Sequence, residues 1–169
     1  ACHSGRRRLS ASRRTRPMVL MMPAISLASP VDDLIAQKAA AIEGKVIAWR
    51  HHLHANPELS NRELETAAYV EKHLRSLGLE VQTGVAITGV VAVLDSGKPG
   101  PTVALRADMD GLPVKEVNDL PYKSTKTAEF EGNIVPVMHA CGHDTHVAML
   151  MGAAEILTGM KDELHGKVK

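Results

Sequence analysis

The stretch Thr102-Val103-Ala104-Leu105-Arg106-Ala107-Asp108-Met109-Asp110 decides the fold. Residues 102–106 are nearly all apolar, which predicts a strand covered on both faces, and two carboxylates one residue apart follow it. Upstream, 79–81 and 89–94 read as two more strands, separated by the turn-former Gly84 and followed by a Gly- and Pro-rich loop over 95–101. Before them Leu64, Ala67, Ala68, Val70, Leu74 and Leu77 keep helical spacing, predicting a helix from Asn61 or Arg62 to about Leu77 with Gly78 just past its end. The steps Leu34, Ile35, Ala39, Ile42, Val46, Trp49 and Leu53 predict an amphipathic helix over 31–54, which Pro57 ends. Downstream, 111–137 carries Pro113, Pro121 and Pro136 and reads as an irregular surface excursion. It returns at Met138-His139-Ala140-Cys141-Gly142-His143-Asp144, directly before a buried helix over 145–160 in which Gly152 permits close packing. The segment 165–169 reads as a turn and the first residues of another strand. The fold class is therefore α/β, a layered sheet flanked by helices.

At 169 residues, with 44% apolar and 23% charged content, the chain has material for one core and not for two. Its aromatic residues, Trp49, Tyr69, Tyr122 and Phe130, are too few for the stacking platforms of single-stranded nucleic-acid binding, which argues against an RNA or DNA binder. Six Arg and no acid lie in 1–17, so 18–169 holds 14 bases against 19 acids and is mildly acidic. The basic arm and the apolar 18–28 read as an export leader with small residues Ser26 and Ala28 before a cleavage at Ser29, which favours an exported or periplasmic protein over a cytoplasmic one. A disordered arm, a transit segment, and sequence upstream of a start at Met18, Met21 or Met22 are the alternatives for 1–30. No stretch approaches the ~20 apolar residues of a membrane span. Cys2 lies in the arm, which leaves Cys141 a lone thiol in the body over 31–169.

Two places carry chemistry, both at the ends of regular elements, where α/β folds put ligands. Asp108 and Asp110 need cations, donors or water to stay charged at the end of a buried strand, and a divalent metal supplies that. Cys141 and His143 offer a thiolate and an imidazole, ligands that zinc and, less typically, manganese or cobalt accept. Asp144 and His146 are close enough in sequence to support those ligands. Blander readings stand beside these: an Asp pair that only shapes a turn, and a cysteine that is a small buried hydrophobe. Of His51, His52 and His54 on the first helix, His54 is the best candidate to face inward; His73 and His165 read as surface.

Three runs, Leu53-His54-Ala55-Asn56-Pro57-Glu58-Leu59-Ser60, Ala104 to Pro113, and Met138 to His146, resemble the amidohydrolase branch of the aminoacylase and carboxypeptidase metallopeptidase family. That branch includes hippurate hydrolase, N-acyl-amino-acid amidohydrolases and auxin-conjugate hydrolases. The resemblance departs at Gly111, where the branch usually has Ala.

The resemblance implies a site for two divalent ions (manganese, zinc or cobalt) with Cys141 and His143 as metal ligands and Asp110 as the catalytic-site acid that orients a ligand. It leaves Asp108 without a role, since other branches keep a metal-binding His there. It further implies an N-terminal portion, about the first half of a catalytic domain, without the Glu pair and later His ligands and without the lid and dimerisation domain. The implied activity is metal-dependent cleavage of N-acyl amino acids, small-molecule substrates, by a full-length protein for which a homodimer is open, the 169 residues alone being inert. The competing class is a non-catalytic domain with a structural metal or a binding role.

Overall fold

The computed structural model describes residues 29–169, so the leader reading falls outside the described residues. Helix α1 (Pro30–Ala55) starts in a capping box: Ser29 Oγ accepts from the Asp32 N–H at 3.3 Å, and Asp32 Oδ2 accepts from the Ser29 N–H at 2.8 Å. Pro30 in the first turn has no N–H to leave unpaired. The helix ends before Pro57, where the Asn56 N–H turns back to Leu53 O. Helix α2 (Leu64–Ser76) begins later than its spacing predicts, because Asn61 takes a left-handed φ of 62° and cannot continue a helix. Leu64 and Ala68 consequently face solvent, and the inward stripe is Ala67, Val70 and Leu74.

Strands β1 (Glu80–Val85) and β2 (Gly89–Asp95) pair as an antiparallel hairpin. Gly84 is not the turn. It sits inside β1 at φ 71°, where the register slips between Gln82 and Val85, and the turn is 86–88. Ala86 and Ile87 both adopt positive φ there, residues whose types give no turn signal. Strand β3 (Thr102–Val103) is short and exposed rather than covered on both faces, because α2 packs on β1 and β2 and not on this strand at the far edge of the sheet order β1-β2-β6-β3. Its neighbour β6 (Lys167–Val168) runs parallel to β3 and antiparallel to β2, and the ladder continues through Lys169 N–H to Val103 O and Leu105 N–H to Lys169 O. The excursion over 111–137 is not wholly irregular either: β4 (Thr127–Phe130) and β5 (Asn133–Pro136) form a separate hairpin. Its two-residue turn, Glu131-Gly132, has both residues at positive φ.

Helix α3 (His143–Thr158) packs along α1, and the core forms where Leu53 meets Val147, Ala148 and Met151, with Val46, Trp49, Tyr69, Val70, Ala107 and Met109 around them. The two helices approach at Gly152, where a Cβ would lie 2.9 Å from Val46 Cγ2. Gly152→Leu is therefore expected to force the helices apart and cost about 1–3 kcal/mol. A shift of the urea midpoint to lower concentration checks it; an unchanged midpoint would show that α1 can give way. Among the described residues no helix is long and apolar enough to cross a membrane.

Candidate metal centre

The turn before α3 sets the geometry. Gly142 caps the helix at φ 83°, a conformation that side chains resist, and its carbonyl accepts from the N–H groups of Thr145 and His146. That reversal leaves Cys141 exposed at the helix N-terminus, so it is not a small buried hydrophobe. His143 and Asp144 belong to the first helical turn, which starts two residues earlier than the spacing of apolar residues predicts.

His143 Nδ1 lies 2.9 Å from Asp110 Oδ1 and 3.0 Å from the Asp110 carbonyl oxygen. Both partners are acceptors, so Nδ1 carries the proton and donates, and Nε2 keeps a lone pair. This is how a carboxylate prepares an imidazole for a metal ion. Asp108 does not join it. Its half-exposed carboxylate takes Arg106 Nη2 at 2.6 Å, a surface pair of small energetic weight. His146 is exposed, its ring 5.7 Å from that of His143.

Asp144 faces the other way. It is 1% exposed and accepts from Arg50 Nε at 2.9 Å and His54 Nδ1 at 2.8 Å. Burial pushes its pKa up, but the His54 hydrogen bond and the neighbouring His139 and Arg50 outweigh that and hold it below the usual carboxylate range. The other ring nitrogen of His54 lies 2.8 Å from Oε1 of the buried Glu116. Glu116 also titrates below its ordinary range: burial raises it, and donors from His54, the Ser124 N–H and Asn118 prevail. His54 thus lies between two buried carboxylates, one at each ring nitrogen. Tyr122 closes the cluster, accepting from Arg50 Nη1 at 3.1 Å and stacking on His51.

Sequence reasoning missed Glu116, Arg50, Tyr122 and His139. Arg50 and His54 stand four residues apart on α1 and so share a face, a signal that was legible. Glu116 and Tyr122 lie in the excursion, where no periodicity marks them. His139 is 5% exposed with neither ring nitrogen hydrogen-bonded to the described residues, and burial holds its pKa below that of an ordinary imidazole against the pull of Asp144. His73 is also not plain surface: its Nε2 lies 3.0 Å from Met151 O, and its ring meets Trp49 edge-on.

No group of three His, Cys, Asp or Glu is gathered to hold a metal ion among the described residues. Cys141 and His143 fit one as a partial set, a soft thiolate beside an imidazole whose free nitrogen is fixed by Asp110. A cavity of about 650 Å³ lies between the sheet and helices α2 and α3, lined by Val70, Leu74, Val91, Leu105 and Met151 and reaching Asp108 and Asp110. Neither Cys141 nor His143 lines it.

The sequence model of Peptidase family M20/M25/M40 matches residues 104–169. Thermostable carboxypeptidase 2 of Saccharolobus solfataricus is 49% identical over 129 residues, which cover 76% of this chain and 31% of that protein. The N-acyl-L-amino acid amidohydrolase of Geobacillus stearothermophilus is 44% identical over 76% of this chain and 32% of its own length. Among solved structures, the Bacillus subtilis YXEP protein, a dinuclear metal binding peptidase from the M20 family, superposes with a TM-score of 0.67 at 36% identity, covering 76% of this chain and 34% of that one. The chain thus spans about a third of the length of the relatives it matches. The resemblance carried by the three motifs is shown by sequence and by structure alike: this chain is similar, over some three quarters of its length, to about a third of a Peptidase family M20/M25/M40 protein.

Proposed function

We propose that the full-length protein bearing this chain is a metal-dependent amidohydrolase that cleaves N-acyl amino acids, hippurate-like compounds among them, to a carboxylic acid and a free amino acid. The carrying observation is the Asp110 to His143 hydrogen bond, which fixes the imidazole beside the exposed Cys141 with its second nitrogen free. The names of relatives that act on N-acyl amino acids and on IAA-amino acids support the substrate class. Two divalent ions per site, manganese, zinc or cobalt, suit the donor set and the description of the solved relative as dinuclear.

Cys141 and His143 would hold a divalent metal, whose chemistry when bound is that of a Lewis acid toward an amide carbonyl. Asp110 keeps the His143 ring in one tautomer and one orientation. Asp110 is engaged by His143, and Asp144 and Glu116 by His54, while Asp108 makes only a weak surface pair with Arg106; Cys141 and His143 supply two ligands where a catalytic zinc site uses three and a base. We infer that the general base and the remaining ligands lie outside these 169 residues, and that a homodimer is open to the complete protein.

The test is release of free amino acid from N-acetyl and N-benzoyl amino acids. The full-length protein is expected to be active, to lose activity on chelation and to regain it with manganese, zinc or cobalt. The 169-residue chain is expected to release none under the same conditions. A metal-replete full-length protein without activity on either substrate would overturn the reading.

A further inference from the structure

We propose that His54 is a positioning residue of the metal centre, its buried ring bracing the turn that carries Cys141 and His143 against the loop that carries Asp110. The proposal rests on the amidohydrolase reading above. Three segments remote in sequence meet at this ring. Nδ1 faces Asp144 Oδ2 at 2.8 Å, in the first turn of α3, and Nε2 faces Glu116 Oε1 at 2.8 Å. Asp144 is the chain neighbour of His143, and Glu116 lies six residues after Asp110, at the start of the excursion, pinned there by the Ser124 N–H at 2.6 Å. His54 therefore spans the two pieces whose separation sets the 2.9 Å bond from His143 to Asp110.

The brace is itself anchored. His54 follows Leu53, which is 2% exposed in the core, and Arg50 one turn earlier donates to the same Asp144 oxygen at 2.9 Å. A flat ring met by a carboxylate at each end is a rigid spacer, whereas a metal site loosens when its supports shift by about 0.5 Å. Neither nitrogen of His54 is free, so the ring ligates nothing and acts through its two neighbours. A role confined to folding stability would lower the unfolding midpoint and leave the metal's surroundings alone. A brace changes those surroundings in protein that is fully folded.

The experiment loads full-length protein with Co²⁺ alone and reads the thiolate-to-cobalt absorption of Cys141 and the Co²⁺ affinity, well below the melting temperature. In His54→Ala the affinity is expected to fall about 10–100-fold, as when a ligand-orienting partner is lost, with the thiolate absorption shifted or weakened. Added imidazole, which matches the vacated space, is expected to restore part of both. Folded His54→Ala with wild-type affinity and absorption would overturn the proposal. If that variant does not fold, Glu116→Gln decides, since it keeps the side chain's shape and removes one charged anchor: a shifted absorption supports the brace and an unchanged one overturns it. Hydrolysis of N-acetyl amino acids is assayed in parallel. Wild type that binds cobalt normally yet hydrolyses nothing sinks the functional reading, and the spectra still judge the brace.

Discussion

Cys141→Ser in the full-length protein is expected to lose bound metal and amide hydrolysis together. A serine hydroxyl is far less acidic than a thiol and is a poorer ligand for borderline-soft ions. The loss should exceed the roughly 10–100-fold that removal of a mere ligand-orienting partner costs. Because Cys141 is exposed and packs into no core, the near-isosteric change should leave the melting temperature almost where it was. That separates a ligand from a packing residue. Metal analysis and the amino acid release assay, run on one preparation, check it; full occupancy with full activity would make Cys141 a bystander.

Asp144→Ala is expected to have the largest effect on stability, about 3–5 kcal/mol, the usual cost of breaking a buried charge pair from one side. The carboxylate is 1% exposed and is met by Arg50 and His54, both of which would be left facing a void. Asp144→Asn keeps the volume and one acceptor, so it should cost less. Urea unfolding of both variants gives the answer, and a loss below about 1 kcal/mol for the alanine would mean that water replaces the carboxylate at little cost. Sensitivity to pH has a definite sign as well. With its pKa lowered on folding, Asp144 contributes stability that is present above the ordinary carboxylate pKa and is lost as pH falls through the lowered value.

The elements legible in the sequence are those whose signal is local. The helical period of Leu34 to Leu53 and of Val147 to Leu157 is such a signal, and α1 and α3 lie where it predicts to within about two residues. The coupling of Cys141, His143 and Asp110 into one place came from the resemblance and not from spacing, since 33 positions separate Asp110 from His143. What stayed hidden depends on tertiary contact. The Glu131-Gly132 turn was readable in its glycine, yet the prolines at 113, 121 and 136 masked the alternation on either side of it. Thr102 to Arg106 look like a buried strand because composition records what a strand is made of, not how many neighbours it has. Glu116 has no periodic partner, and only its 62-residue reach to His54 shows why it is buried.

Strand β6 lies inside the sheet although it is the last of the described strands. Leu94 pairs with Val168, 74 positions later, and Thr102 with Lys167, 65 positions later. Contacts this remote close late in folding, because the loop between them must be ordered before the ladder repays it. On the ribosome the delay is concrete: at about 5–20 residues per second, Val168 is made roughly 4–15 s after Leu94. During that interval the β1-β2 hairpin can form by itself while the inner edge of β2 stands open. Newly made chains are then exposed to edge-to-edge pairing with one another, so the yield of folded protein should depend on how fast 95–168 is translated and on how crowded the nascent chains are.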